Sequence, residues 1–143
     1  MLTKSKELIT WNKEMELGIA PIDEQHKKLV DLMNEFYEEL EEGKRKEAIE
    51  HFLDELGNYL VYHLDYEEKF LEKIGFPDFK NHKKTHEMFK KFYKEEIERL
   101  KKGNEKAIRE LIAFTLSWLY THIMKTDKKY AKFFFEKYGK KEG

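Results

Sequence analysis

The chain has 143 residues, enough for one domain with a sizeable core. Its 28 Lys+Arg and 29 Asp+Glu nearly cancel to a formal net charge of −1, leaving no basic excess for a nucleic-acid module. Six His stand against no Cys, which excludes disulfide scaffolds, thiolate metal sites, iron–sulfur clusters and cysteine nucleophiles, so any metal must be held by nitrogen and oxygen.

The opening MLTKSKELITW carries no apolar run of signal-peptide length, so a cytoplasmic chain is expected. Residues 1–20 lack helical periodicity and read as a non-helical arm, with Trp11, Leu17 and Ile19 as its anchors. A first helix is predicted over about 22–42, where Pro21 and Asp23 suit the start and His26, Leu29, Val30, Met33, Tyr37 and Leu40 recur on one face before Gly43. A second, over about 44–74, turns Ile49, Phe52, Leu53, Leu56, Leu60, His63, Glu67, Phe70 and Leu71 inward. Gly75-Phe76-Pro77-Asp78 breaks it, and Asp78 suits the cap of a third helix over about 79–102, with His82, His86, Phe89, Tyr93, Ile97 and Leu100 inward.

Asn104 caps a fourth, over about 104–138, that keeps Ile108, Leu111, Ile112, Trp118, Leu119 and His122 on related faces. Leu111–Met124 is the longest stretch without a formal charge, but its 14 residues fall short of the roughly 20 that span a bilayer, so no membrane insertion is expected. Lys140–Gly143 reads as a frayed tail. The short connections imply an all-α fold, an up-down-up-down antiparallel four-helix bundle in a single domain over 1–143.

The histidines are not scattered. His63 and Glu67 are four apart, as are His82 and His86, which puts each pair within about 40° of one helix face. His26 and His122 join the apolar stripes of the other two helices. One such pair arises by chance in a helix rich in charge, whereas an inward His on every helix calls for a partner, and a metal cluster supplies it. His51 precedes His63 by 12 residues, a rotation of about 120°, and is assigned to surface or packing duty. Asp127 follows His122 by five residues, about 140° around a regular helix, so both reach one cluster only through a π-bulge or kink between Ile123 and Asp127.

Together, His26, His63-Leu64-Asp65-Tyr66-Glu67, His82-Lys83-Lys84-Thr85-His86 and His122-Ile123-Met124-Lys125-Thr126-Asp127 resemble the hemerythrin signature H…HxxxE…HxxxH…HxxxxD. WNKEMELGIAPIDEQH resembles the N-terminal arm and first ligand of bacterial and archaeal hemerythrins, and HLDYEEKFLEKIGFPDFKNHKKTHEMF their central stretch. Leu64 stands where Phe often follows the second His, an apolar-for-apolar departure that bears on pocket shape.

The resemblance implies two iron ions (Fe2+/Fe3+) under an oxo or hydroxo bridge. His82, His86 and His122 would hold one iron, His26 and His63 the other, with Glu67 and Asp127 bridging. Six-coordinate irons filled this way keep one open position, on the iron with two His. Oxygen-activating di-iron bundles are richer in carboxylates, so this His-rich set favours reversible binding. The implied ligand is O2, for carriage, storage or delivery to an oxygen-consuming enzyme, with no enzymatic activity of the chain's own. Spacing names Leu29, Leu64, Trp118, Leu119 and Ile123 as walls of the O2 pocket. The competing reading is a di-iron peroxidase or nitric-oxide-handling enzyme on the same cluster.

Overall fold

A computed structural model describes residues 9–139 of the chain. The first eight residues of the arm and the Lys140–Gly143 tail lie outside the described residues. Those described form an all-α bundle without strands, in which α1 (Ala20–Glu41) packs on α2 (Arg45–Ile74), α2 on α3 (Phe79–Lys101), and α3 on α4 (Lys106–Ser117). A π-helical segment, Trp118–Thr126, joins α4 to α5 (Asp127–Tyr138), so the fourth rod is one helix with a wider middle.

The arm is not wholly irregular. One turn of 3-10 helix, Lys13–Met15, forms where the Asn12 side chain accepts the Glu14 amide at 2.9 Å. Two contacts tie the arm down. Ile9 exchanges backbone hydrogen bonds with the Asn34 amide at 2.9 and 2.8 Å, and Asp23 accepts the Leu17 and Gly18 amides at 2.7 and 3.0 Å. Leu17 and Ile19 are buried and Trp11 packs against the core.

Helix ends follow their local chemistry. Gly75, at φ 71°, ends α2 in a left-handed turn in which the Phe76 amide donates to Leu71 O at 3.0 Å and that of Gly75 to Glu72 O at 3.2 Å. Asp78 precedes α3 as its position suggested, but its carboxylate accepts Asn81 Nδ2 (2.7 Å) instead of a backbone amide. Asn104 Oδ1 does accept the Lys106 amide, at 3.1 Å, ahead of α4.

The apolar interior is in two parts. A larger cluster includes Leu29, Met33, Phe52, Leu56, Leu60, Leu64, Phe89, Leu111, Leu119 and Ile123. A smaller one includes Leu17, Ile22, Leu71, Ile74 and Tyr130. Along α1 the order is Ile22, His26, Leu29; along α2 it is Leu64, Glu67, Leu71; along the fourth rod it is Ile123, Asp127, Tyr130. The helices thus carry a buried polar layer between two apolar ones. No helix among the described residues is long and apolar enough to cross a membrane.

Candidate metal centre

Each rod contributes to the polar layer. α1 supplies His26, α2 supplies His63 and Glu67, α3 supplies His82 and His86, the π segment supplies His122, and α5 opens with Asp127. All seven are buried, none more than 5% exposed. Every imidazole turns its Nε2 toward the two carboxylates. Glu67 Oε1 lies 2.8 Å from His82 Nε2 and 2.9 Å from His86 Nε2. Its Oε2 lies 3.5 Å from both His26 and His63. Asp127 divides the same way, with Oδ1 at 2.9 Å from His122 and 3.1 Å from His82, and Oδ2 at 3.3 Å from His26. One oxygen of each carboxylate therefore faces the His82/His86/His122 group, and the other faces the His26/His63 side.

The π-helix explains how His122 and Asp127 meet. The Asp127 amide donates to His122 O, an i→i+5 bond that replaces the regular i→i+4 one. The distortion expected between Ile123 and Asp127 is present and longer than expected, beginning at Trp118. Hydroxyls add bonds to carbonyls on its exposed side: Thr121 Oγ1 donates to Ser117 O at 2.7 Å, and Thr126 Oγ1 to Thr121 O at 3.2 Å.

Outer partners fix the rings. His63 Nδ1 meets Gln25 Oε1 at 2.6 Å, and His86 Nδ1 meets Glu68 Oε2 at 2.9 Å. Thr85 Oγ1 spends its proton on His82 O (2.7 Å), so toward His122 Nδ1, at 3.4 Å, it can only accept. A proton held on Nδ1 leaves the Nε2 lone pair free, the arrangement a metal-binding imidazole needs. Tyr130 Oη donates to Glu67 Oε2 at 2.7 Å. Gln25, Glu68, Thr85 and Tyr130 were not singled out in the sequence. Tyr130 lies three residues from Asp127 on the same helical face, which is the signal that would have found it; Gln25, Glu68 and Thr85 each sit about 100° from the adjacent site residue and carry no such signal.

Electrostatics in the metal-free layer are set by crowding. Burial lowers the His26 pKa, but Asp127 and Glu67 more than offset it and carry the group up to about 9. The same balance takes His82 up to about 10, whereas burial wins at His63 and lowers it. Burial raises both carboxylates, yet the surrounding imidazoles hold Glu67 well below the usual carboxylate range and lower Asp127 too.

Atomic detail tests whether this donor set suits a metal. His26 has neither ring nitrogen hydrogen-bonded, and His122 Nε2 and both Asp127 oxygens are buried without a hydrogen-bond partner. The close approaches of these atoms lack hydrogen-bond alignment: they converge on common points and not on one another's protons. Glu67, His82, His86 and His122 form one group, and His26, His63 and Glu67 another, with one donor atom per residue and all within 4.8 Å of each other. Orphaned atoms of this kind are costly in a dry interior unless a cation completes them, and nitrogen and oxygen donors suit first-row metals. The residues fit a bound metal.

The remaining sequence-derived residues fall around this layer. Leu29, Leu64, Leu119 and Ile123 are fully buried in the larger cluster. Trp118 stacks on His122 at 3.8 Å, against the group of three imidazoles. His51 is exposed and lies 3.5 Å from Glu35, apart from the layer.

A four-helix bundle with a buried layer of five imidazoles and two shared carboxylates defines a metal-binding bundle. Residues 17–134 match the family model of the hemerythrin HHE cation binding domain. A bacteriohemerythrin of Clostridium acetobutylicum is 32% identical over 127 residues, 86% of this chain and 98% of that protein. The bacteriohemerythrin of Methylococcus capsulatus is 32% identical over 86% of this chain and 94% of its own, and a hemerythrin-like protein of Naegleria gruberi is 31% identical over 91% and 97%. The chain belongs to the hemerythrin family.

Proposed function

We propose that this protein binds O2 reversibly at a non-heme di-iron centre and serves in the cytoplasm to carry, store or deliver O2 to an oxygen-consuming enzyme, without being an enzyme itself. The observation that supports this reading is the division of both carboxylates, each with one oxygen toward His82, His86 and His122 or part of that group, and the other toward His26 or the His26/His63 pair. In this reading His82, His86 and His122 would hold one iron, His26 and His63 the other, and Glu67 and Asp127 would be shared between them. Bound iron supplies the chemistry, a reversible exchange of electrons with O2.

The chain's own residues do the rest. Gln25, Glu68 and Thr85 hold three imidazoles in one tautomer and orientation. Burial keeps water from the layer, and the walls Leu29, Leu64, Trp118, Leu119 and Ile123 suppress the side reactions that water would allow. The deciding experiment is anaerobic ferrous reconstitution followed by cycles of air and argon. Two irons per chain and a visible spectrum that appears and reverses are expected. Rapid conversion to a ferric form with no reversible stage, together with peroxide turnover, would transfer the centre to the enzyme reading.

A further inference from the structure

Two neutral donors near the layer are buried and find no hydrogen-bond partner: Trp118 Nε1 and the Tyr59 hydroxyl. They occupy opposite ends. Trp118 lies on His122, whereas Tyr59 precedes His63 by one turn of α2 and stacks on its ring, centroids 4.9 Å apart and planes at 22°. Tyr59 thus belongs to the end with two imidazoles, where His26 packs edge-on against His63 at 4.8 Å.

The side chain runs from the surface inward. With Gln25, Leu32 and His63 it lines a cleft of about 470 Å³, while its oxygen is buried. A buried hydroxyl with no acceptor is costly in a folded protein and calls for an explanation. The apolar cluster against which Tyr59 packs supplies no side-chain acceptor for it.

We propose that the Tyr59 hydroxyl donates a hydrogen bond to the small ligand bound at the His26/His63 end of the centre. It thereby makes that site favour ligands that carry, or acquire on binding, negative charge on an outer atom. The proposal rests on the di-iron reading. Apolar walls with no polar group turned to the ligand would select by size alone. A phenol donor adds discrimination by charge, since hydrogen bonds to charged acceptors are stronger than neutral ones.

Tyr59→Phe keeps the ring on His63 and removes only the oxygen. Wild type and variant would be loaded with iron, oxidised and titrated with azide by visible absorption, with iron counted per chain and the metal-free Tm measured. Unchanged iron content, an unchanged or higher metal-free Tm, and azide binding weakened at least about 10-fold are expected, as for loss of one hydrogen bond to a charged ligand. A spectral shift of the azide adduct between H2O and D2O should be present in wild type and absent from the variant. Equal azide affinity in the iron-loaded proteins would overturn the proposal while leaving the di-iron reading intact. Reduced iron in the variant would overturn it too, by assigning the hydroxyl to holding the centre. A wild type that takes up no iron would instead defeat the di-iron reading itself.

Discussion

Replacing Glu67 by Gln changes neither size nor shape, so its effect isolates charge and acceptor capacity. In the wild type, Oε1 faces two imidazole Nε2 atoms at 2.8 and 2.9 Å. Oε2 accepts the Tyr130 hydroxyl at 2.7 Å and lies 3.5 Å from two further imidazoles. An amide must give one of these positions to its NH2 group, and at either one donors face a donor. In the metal-free protein, His26 and His82, raised to about 9 and about 10, would share the single charge of Asp127. Removing one partner of a buried ion pair costs about 3–5 kcal/mol. For a chain of this length that lowers the metal-free Tm by about 10–15 °C. An amide nitrogen is no metal ligand, so iron per chain should fall to one or less. Calorimetry of the metal-free variant and metal analysis after reconstitution test the two halves separately. A Glu67→Gln variant that melts with the wild type and retains two irons would refute both the charge argument and the bridging role.

Leu29→Ala opens the fully buried wall one turn beyond His26. It should speed autoxidation while leaving iron near the wild-type level, and cost about 2–5 kcal/mol of stability; an unchanged autoxidation rate would remove Leu29 from the pocket wall. Tyr130→Phe deletes the charge-assisted hydrogen bond to Glu67 Oε2. Release of iron to a chelator should accelerate about 10-fold, and an unaltered release rate would show that the phenol does not steady the carboxylate. The metal-free protein should lose stability in both pH directions. The raised pKa values of His26 and His82 give stabilisation that is complete below their unfolded value, ~6.5, and lost as pH climbs through about 9 and about 10. The depressed Glu67 and Asp127 give stabilisation that is present above ~4 and lost on acidification. A metal-free Tm that rises steadily from neutral to strongly alkaline pH would contradict the histidine half.

Much of the layer is legible in the sequence because helical periodicity is a long-range constraint written in local spacing. His63 with Glu67, and His82 with His86, needed only the four-residue step to be placed on one face, and His51 could be set aside by its angle. The outer partners were not legible in the same way. Glu68 reaches His86 across two helices and Thr85 reaches His122 across another two, so their roles depend on how the rods are rotated against each other. Glu96 depends on a neighbouring helix as well: seven residues after Phe89 it falls on the buried face of α3, where Arg99 donates to it at 2.6 Å while also pairing with Glu110 of α4 at 2.9 Å. The Arg99 guanidinium on the same helix gives the buried carboxylate the partner it needs. The Asp78 carboxylate shows the same limit at smaller scale, since the nearby Asn81 competes with the backbone for it.

The five-residue step from His122 to Asp127 carries the most information about how this layer is built. In a regular helix that step would send Asp127 away from His122, and the layer would have a single carboxylate for five imidazoles. The π segment brings the two together, but it weakens the regular hydrogen-bond ladder over Trp118–Thr126 and carries a cost in local stability. Its placement limits that cost. Trp118, Leu119 and Ile123 keep the inner side of the segment packed in the larger cluster, and the hydroxyls of Thr121 and Thr126 add bonds to carbonyls on the outer side. Immediately beyond it, Tyr130 anchors α5 in the smaller cluster while donating to Glu67. The irregular stretch is thus clamped at both ends by apolar packing, and its one lasting consequence is the position of a carboxylate. An α-helical fourth rod would be the more stable helix. It would leave the two halves of the polar layer joined by Glu67 alone, and this fold gives up helical regularity there to gain a second shared carboxylate.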